Sequence, residues 1–443
     1  MLARPEPERS PMSHDIEQHT PAPSPTRRTV LTGAAWSVPV IAAASLAPFA
    51  AASGTPVLAF NQASYSGTAC GTITGASVSV TTNGTATSNV SVTTTLSGGY
   101  TFAGGSASYT GVSDGSGTVA LPAINVPSVG GSSTLSAVSS GATPQSATAS
   151  APKTAASGAY YYDDNGAQGG LQNKVPAGTT PVGIFSFLAP NGDLYLNNRR
   201  VATNVIAATA QRYDDATWHN TVTYTTATGA YYYDDNGAQG GLHDKVPAGS
   251  IPVGILSFLA PNGDLYLNNR RVATNVIAAT AQRYDDATWH NTATYTTATG
   301  AYYYDDNGAV YVLQDKVPTG TTPVGIFTFL APNGDLYLNN RRVATNVIAA
   351  TAQRYDDATW HNTATYTTAT GAYYYDDNGA VYVLQDKVPT GTTPVGIFTF
   401  LAPNGDLYLN NRRVATNVIA ATAQRYDDAT WHNTATYTTA PAC

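Results

Sequence analysis

Candidate chemistry in this chain recurs at a fixed spacing from residue 158 onward. Each Asp-Asp-Asn-Gly stretch, such as 305–308, offers adjacent carboxylates that could bind calcium, and each copy of His361 offers a nitrogen that could bind zinc. No distal Glu follows the acidic stretch, and no Cys or second His lies at zinc-ligand spacing. We therefore interpret the acidic stretch as a hairpin turn whose Asp and Asn side chains cap the backbone, and His361 as a solvated strand residue. No metal or other cofactor is predicted.

A pair of arginines, Arg341 and Arg342, also recurs and could contact an anionic polymer such as a wall phosphate. The simpler interpretation is that these charges end a strand, pair with Asp335 or Asp357, and discourage the sheet edge from pairing with other chains. Both arginines are kept as possible ligand contacts.

Aromatic residues supply the remaining candidate contacts. Tyr303 lies in a run of three tyrosines, and Trp360 lies in a later alternating segment. Such rings could stack on sugar rings, although strand alternation would turn one or two of the tyrosines into the core. Carbohydrate binding through Tyr303 and Trp360 is therefore the favoured specific activity.

No catalytic residue is predicted. A site inside one repeat would occur four times, and no Ser/His/Asp or paired-Glu arrangement stands out. The alternative is a carbohydrate-active protein whose single site is assembled from loops at the axis of a ring of repeats.

The elements that must position these residues are four tandem repeats. The glycine that opens GAYYYDDNG stands at Gly158, Gly229, Gly300 and Gly371, each 71 residues after the last. Such a period is the signature of a repeat architecture. The repeats are 158–228, 229–299, 300–370 and 371–443.

Each repeat reads as strands and tight turns. In the third repeat, Asn307-Gly308 and Asn333-Gly334 each separate two apolar runs, as hairpin turns do, and the two units can be aligned on these turns. The segment Thr359–Thr368 alternates, with aromatic and small residues on a predicted inner face and Thr and His on a predicted outer face. Helix signals are nearly absent, and no Glu occurs after residue 17.

The run TFLAPNGDLYLNN with the later NVIAATA resembles blades of regulator-of-chromosome-condensation-like propellers. Leu338-Asn339 replaces the Trp-Gly of that pattern. The resemblance implies a β-propeller, and two hairpin units of about 35 residues per repeat would give eight blades. A string of four small β-domains is the alternative.

Residues 54–138 differ from the repeats. Short alternating runs, such as Ser77-Val78-Ser79-Val80, are separated by turn residues and indicate six or seven strands. SYSGTACGTITG followed by TLSGGYTFAGG resembles the first sandwich domain of secreted bacterial surface proteins, which implies an immunoglobulin-like fold. Residues 139–157 are of low complexity and predict an extended linker.

Residues 1–52 read as an export signal. Arg27 and Arg28 precede a weakly apolar run, 34–52, that ends in small residues. This resembles a twin-arginine signal and implies a bacterial protein that is secreted or held at the cell surface. After cleavage no membrane segment is expected, because the run is too weakly apolar for a permanent span. Either Met1 or Met12 could be the start.

The net charge limits the classes of partner, and the cysteine content predicts a disulfide. The formal net charge of -7 and the lack of a basic stripe argue against nucleic acid. Cys70 and Cys443 are the two cysteines, and an even count in an exported chain suggests that they form a disulfide. The sequence therefore predicts an all-β, non-enzymatic binding or display scaffold, with a cell-wall or extracellular polysaccharide, or a protein, as its partner.

Overall fold

The computed structural model describes residues 54–171, 175–214, 218–242, 245–285, 289–313, 316–356, 360–384, 387–427 and 431–443. Every regular element in these ranges is a β-strand. β-Branched and aromatic residues favour strands, and Gly, Asn and Asp supply the turns. The predicted all-β class is confirmed. No helix long and apolar enough to cross a membrane occurs within these ranges.

The first domain contains twelve short strands among the described residues. Their bounds are β1 Pro56–Phe60, β2 Ser64–Ser66, β3 Thr72–Ile73, β4 Ser77–Thr82, β5 Thr85–Ala86, β6 Ser91–Leu96, β7 Thr101–Phe102, β8 Ser108–Val112, β9 Thr118–Ala120, β10 Ile124–Asn125, β11 Gly131–Val138 and β12 Gln145–Ala151.

These strands form three sheets that share one core. β4 pairs with β1, β5 and β9; β10 lies between β3 and β7; the third sheet has the order β2-β12-β11-β6-β8. Val78 and Val80 of β4 are fully buried in the shared core. The alternation in this strand was therefore predicted correctly.

The predicted linker is wrong for residues 145–151. This stretch forms β12, which pairs antiparallel with β11 and parallel with β2. Ala147, Ala149 and Ala151 are buried and the residues between them are more exposed. Small apolar residues at period two thus complete the first domain, although their composition resembles a linker.

Each eight-stranded sheet of the repeat region consists of two antiparallel four-stranded blades. We call them the short blade and the long blade. Their innermost strands meet through one parallel pairing, for example Gly325 with Ala352. A Cβ on Gly325 would lie 2.2 Å from the Ala352 carbonyl oxygen, so this approach requires glycine.

The short blades have three- and four-residue strands. Their bounds are β15 Thr180–Gly183, β16 Ser186–Leu188, β17 Leu194–Leu196, β18 Arg199–Ala202; β23 Ile251–Gly254, β24 Ser257–Leu259, β25 Leu265–Leu267, β26 Arg270–Ala273; β31 Thr322–Gly325, β32 Thr328–Leu330, β33 Leu336–Leu338, β34 Arg341–Ala344; β39 Thr393–Gly396, β40 Thr399–Leu401, β41 Leu407–Leu409, β42 Arg412–Ala415.

The long blades run across the boundary between one repeat and the next. Their bounds are β19 Val205–Asp214, β20 Trp218–Thr226, β21 Gly229–Asp234, β22 Gln239–Gly241; β27 Val276–Asp285, β28 Trp289–Thr297, β29 Gly300–Asp305, β30 Val310–Val312; β35 Val347–Asp356, β36 Trp360–Thr368, β37 Gly371–Asp376, β38 Val381–Val383; β43 Val418–Asp427, β44 Trp431–Thr439, β13 Gly158–Asp163, β14 Gln168–Gly170.

The last long blade closes the ring, because β13 and β14 from the first repeat complete β43 and β44 from the fourth. β13 pairs antiparallel with β44, from Gly158 opposite Thr439 to Asp163 opposite Thr434. The repeats therefore form a closed ring of eight four-stranded blades, which is consistent with the predicted propeller-like arrangement.

A ring of glutamines near the axis links each repeat to the next. In each link the Gln side chain donates to an Arg carbonyl oxygen and accepts from the amide of the same Arg. The linked pairs are Gln211 with Arg283, Gln282 with Arg354, Gln353 with Arg425, and Gln424 with Arg212. The fourth link crosses the closure, so the chain ends are joined by the same contact as the internal repeats.

The two Asn-Gly turns of a repeat are not equivalent, so aligning the two units on these turns was wrong. Asn307-Gly308 joins the last two strands of a long blade, whereas Asn333-Gly334 joins the middle two strands of a short blade. Only the glycine has positive φ in either turn. The two-residue turn with positive φ at both positions is Asn339-Asn340, between β33 and β34.

The first domain is attached to the fourth repeat. Cys70 and Cys443 form a disulfide with their Cα atoms 5.2 Å apart, so the pairing predicted from the sequence is present. Ser128 Oγ also donates to Asn417 Oδ1 at 2.7 Å, and the Ser157 amide donates to the Thr439 carbonyl oxygen at 2.8 Å. Residues 51–443 accordingly form one compact unit.

Candidate binding sites between the repeats

A polar cavity of about 740 Å³ opens between the long blade of β35–β38 and the blades that follow it around the ring. We call it the Tyr374 site. Its lining is Asp164, Tyr355, His361, Tyr374, Asp376, Asn378, Tyr382, Leu384, Phe398, Asn410, Asn411, Arg425 and Asn433. The third and fourth repeats and the start of the first contribute to it, so the complete site exists only in the assembled ring.

An aromatic wall forms one side of the Tyr374 site. The hairpin of β37 and β38 places Tyr374 opposite Tyr382, and their rings stack at 4.3 Å with an interplanar angle of 16°. Phe398 packs edge-on against Tyr374 at 4.6 Å. Burial, followed by the neighbouring Tyr382 hydroxyl, raises the pKa of Tyr374 well above its ordinary value. Tyr374 therefore stays neutral at physiological pH, and its hydroxyl can donate a hydrogen bond.

Phe398 is held in a strained conformation at the edge of the cavity. Its φ of 52° lies in the left-handed region, which is rare for a bulky side chain. Its amide donates to Thr365 Oγ1 at 3.0 Å, and its carbonyl oxygen accepts from the Asn410 amide at 3.1 Å. Strained residues of this kind persist only where the surrounding structure stabilises them, and they are concentrated at functional sites.

A buried His–Asp pair forms part of the cavity lining. His361 is 8% exposed and its Nδ1 lies 2.9 Å from Asp376 Oδ1. Asp376 also accepts from the Tyr355 hydroxyl, the Thr363 hydroxyl and the Asn378 amide. The prediction that His361 is solvated is wrong: β36 lies between β35 and β37, and both of its faces are covered.

The third wall is formed by an asparagine turn of the next short blade. Asn410 Nδ2 donates to Asp164 Oδ2 at 2.7 Å. The adjacent Asn411 has φ of 64°, and its side-chain oxygen is buried with no hydrogen-bond partner among the described residues. A buried acceptor without a donor is costly, so this oxygen is a candidate partner for a ligand or water donor.

Arg425 fixes the position of the wall. Its guanidinium lies 4.8 Å from the centre of the Tyr355 ring and 5.8 Å from that of Phe398, and Nη1 contacts Asn433 Oδ1 at 3.3 Å. The stacked cation rigidifies aromatic residues that come from two different repeats.

Four equivalent sites surround the ring, and two of them have the tyrosine pair. In the Tyr303 site, Tyr303 stacks on Tyr311 at 4.3 Å, with Phe327 at 4.7 Å. In the Tyr161 and Tyr232 sites, Gly169 and Gly240 stand opposite the tyrosine in place of Tyr311. The Tyr232 site also has Leu256 in place of the strained phenylalanine.

The acidic clusters do not fit a metal centre. His290 of the second repeat and Asp305 and Asp306 of the third bring possible ligand atoms within 4.8 Å of one another. Asp305 accepts from His290, from the Tyr284 hydroxyl and from the Asn307 amide, and Asp306 accepts from Asn291 and Asn268 side chains. These carboxylates are thus occupied by hydrogen-bond donors. The interpretation of 305–308 as a capped hairpin turn is confirmed.

The other residues predicted as ligand contacts are the arginine pair, Trp360 and Tyr303. Arg342 pairs with Asp335 at 3.3 Å and is exposed together with Arg341, so the strand-end interpretation is confirmed for this pair. Asp357 and the side chain of Trp360 lie outside the described residues. Tyr303 belongs to one of the two paired sites, while the neighbouring Tyr304 is buried in the core.

The axial channel encloses about 240 Å³ and is lined by the innermost strands of all four repeats. Its lining consists of Val, Gly, Ile, Thr, Ala and Gln residues and includes no ionisable side chain. The glutamines in it already bridge neighbouring repeats. The channel therefore lacks groups for acid–base chemistry among the described residues.

The asparagine turn and the His–Asp pair were not among the sequence predictions. The sequence did indicate the turn, because Asn-Asn between two apolar runs favours positive φ at both positions. The His–Asp pair had no such signal, because His361 and Asp376 meet only through strand register.

No protein-family model matches this chain, and no curated protein sequence is detectably similar to it.

Proposed function

We propose that this chain is an exported, non-enzymatic binding scaffold whose ligand sites lie between the repeats of the ring. The observation that carries the proposal is the Tyr374 site, an open polar cavity with an aromatic wall and an unpaired buried acceptor. Binding pockets typically combine apolar or aromatic surface with a few fixed polar groups.

Export is supported by the disulfide and by the leader. A disulfide between Cys70 and Cys443 suits an oxidising compartment outside the cytosol. Arg27 and Arg28 lie outside the described residues, and the twin-arginine signal remains a sequence prediction. The same proposal describes the first domain as immunoglobulin-like and the blades as related to regulator-of-chromosome-condensation-like propellers. The protein would then be secreted or held at the cell surface.

A binding role is favoured over catalysis by the chemistry of the lining. His361 and Asp376 form a buried pair, but the described residues of the cavity lining include no Ser or Cys nucleophile and no second free carboxylate near them. Asp164 is held by Asn410 and by Asn433. The residues that line the cavity are therefore suited to contact a ligand without transforming it.

Retention on washed bacterial cell walls and on insoluble polysaccharides tests the proposal. We expect the purified chain to sediment with at least one of these materials and to release no reducing sugar. Release of sugar would refute the non-enzymatic assignment. Absence of retention on every polymer would refute polysaccharide as the partner.

A further inference from the structure

We infer that the Tyr374 and Tyr303 sites, and not the other two, bind neutral pyranose rings of a polysaccharide. This inference rests on the proposed function and names its ligand class and its stoichiometry. The two sites share the stacked tyrosine pair, and the sequence of the third and fourth repeats is identical over these residues.

The aromatic pair provides the apolar part of the site. Tyr382 is 48% exposed and its ring lies parallel to the more buried Tyr374, so the pair forms a rigid, partly open platform. A pyranose presents axial C–H groups on one face and hydroxyls around its rim. The C–H face packs on the aromatic surface, and the rim is free to contact the polar wall.

The polar wall fits the rim hydroxyls. Asn411 Oδ1 is a buried acceptor without a donor, and a sugar hydroxyl supplies one. Asn378, whose side-chain oxygen accepts from the Ala380 amide, offers a further amide group on the same lining. Planar amides that are fixed by the backbone turn can recognise hydroxyls with little loss of side-chain entropy.

The charge of the lining selects a neutral polymer. Asp164 and Asp376 both face the cavity region, whereas Arg425 is stacked between two aromatic rings. A carboxylate or phosphate on the ligand would be repelled by the two aspartates. The exposed arginines Arg412 and Arg413 do not line the cavity, and Arg413 contacts Asp406 at 3.3 Å.

The Tyr161 and Tyr232 sites supply built-in controls. There the outer strand reads Gln-Gly-Gly, yet β14 and β22 pair with the tyrosine strand in the same register as β30 and β38. Replacing Val310-Tyr311-Val312 and Val381-Tyr382-Val383 by Gln-Gly-Gly therefore removes the platform with a sequence that the fold already accommodates.

The test is native affinity electrophoresis and isothermal titration of the full chain with soluble neutral glucan, mannan and xylan, and with polygalacturonate as the anionic probe. We expect retardation by a neutral polymer and a stoichiometry of two binding sites per chain. One Gln-Gly-Gly replacement should reduce the stoichiometry to one, and both together should abolish binding. The variant with Val-Tyr-Val in place of 168–170 should gain a third site, because Phe185 is present there.

The possible outcomes distinguish a failure of this inference from a failure of the proposed function. Undiminished binding by the double replacement would overturn this inference and leave the scaffold proposal standing. Preferential binding of polygalacturonate would overturn the neutral class. Absence of binding to all four polymers, together with no retention on cell walls, would overturn both the inference and the polysaccharide partner.

Discussion

Replacing Cys443 by serine removes the covalent link between the last residue of the chain and the first domain. Two strands of the closing blade, β13 and β44, are connected to that domain. β13 follows it within a few residues, and β44 ends four residues before Cys443. Without the disulfide, β44 can separate from β13 while the first domain stays folded. The expected result is a lower free energy of unfolding and a faster opening of the ring.

The magnitude follows from the length of the closed loop. The bridge spans 373 residues in sequence. The chain-entropy relation gives an upper value of about 6 kcal/mol at 25 °C for such a loop, and removal of native disulfides usually costs about 2–5 kcal/mol. We therefore expect the variant to lose about 3–6 kcal/mol of stability.

Urea unfolding followed by far-ultraviolet circular dichroism measures this loss. Wild-type protein in reductant and a Cys70→Ser, Cys443→Ser double variant serve as controls and should match the single variant, since each lacks only the bridge. An unchanged unfolding midpoint would refute the argument that the bridge holds the ring closed. A single variant much weaker than reduced wild type would assign the loss to serine at the C-terminus instead.

Three further predictions concern the ring and its core. Burial raises the pKa of Tyr295, Tyr366 and Tyr437 to about 12, so the stability they provide is full below pH 10 and should fall between pH 10 and 12. A spectrophotometric tyrosine titration with parallel urea unfolding measures this loss, and constant stability across that window would contradict the prediction. Gln424→Ala removes two hydrogen bonds to Arg212 and should cost about 2 kcal/mol, the same as Gln282→Ala at an internal link; a much larger loss for Gln424 would mean that the closure is the weakest link. Small-angle scattering of residues 54–443 should give a radius of gyration near 21 Å, about the value for one compact unit, whereas a value above about 30 Å would refute the closed ring.

Strand positions in the first domain were largely predictable because alternation there is strict. Val78 and Val80 are separated by serine and point to one core. The strand 145–151 was missed because its buried positions are alanines, whose small side chains give a weak signal. Pairing with β11 and β2, which lie far away in sequence, determines that this stretch is a strand.

The candidate site was only partly predictable. The Asn307-Gly308 turn predicts a hairpin, and the hairpin brings Tyr303 opposite Tyr311. Phe327 and Arg354 could not be assigned to the Tyr303 site, because they come from the two blades that follow its tyrosine strand and reach it only through packing between neighbouring blades. His361 appeared solvated because its partner, Asp376, lies on the next strand and belongs to the following repeat. Contacts that depend on strand register and on packing between blades have no local sequence signal.

The blade shared by the two chain ends limits how this protein can change in length. A linear array can gain or lose a repeat at small cost, since each unit contacts only its neighbours. Here a fifth repeat would add two blades between β13 and β44, and every blade would have to change its angle to its neighbours before the ends could pair again. The four identical links near the axis would have to adapt together. Repeat number in this chain is therefore a geometric property of the ring, and a duplication or deletion of one repeat would act on all copies at once.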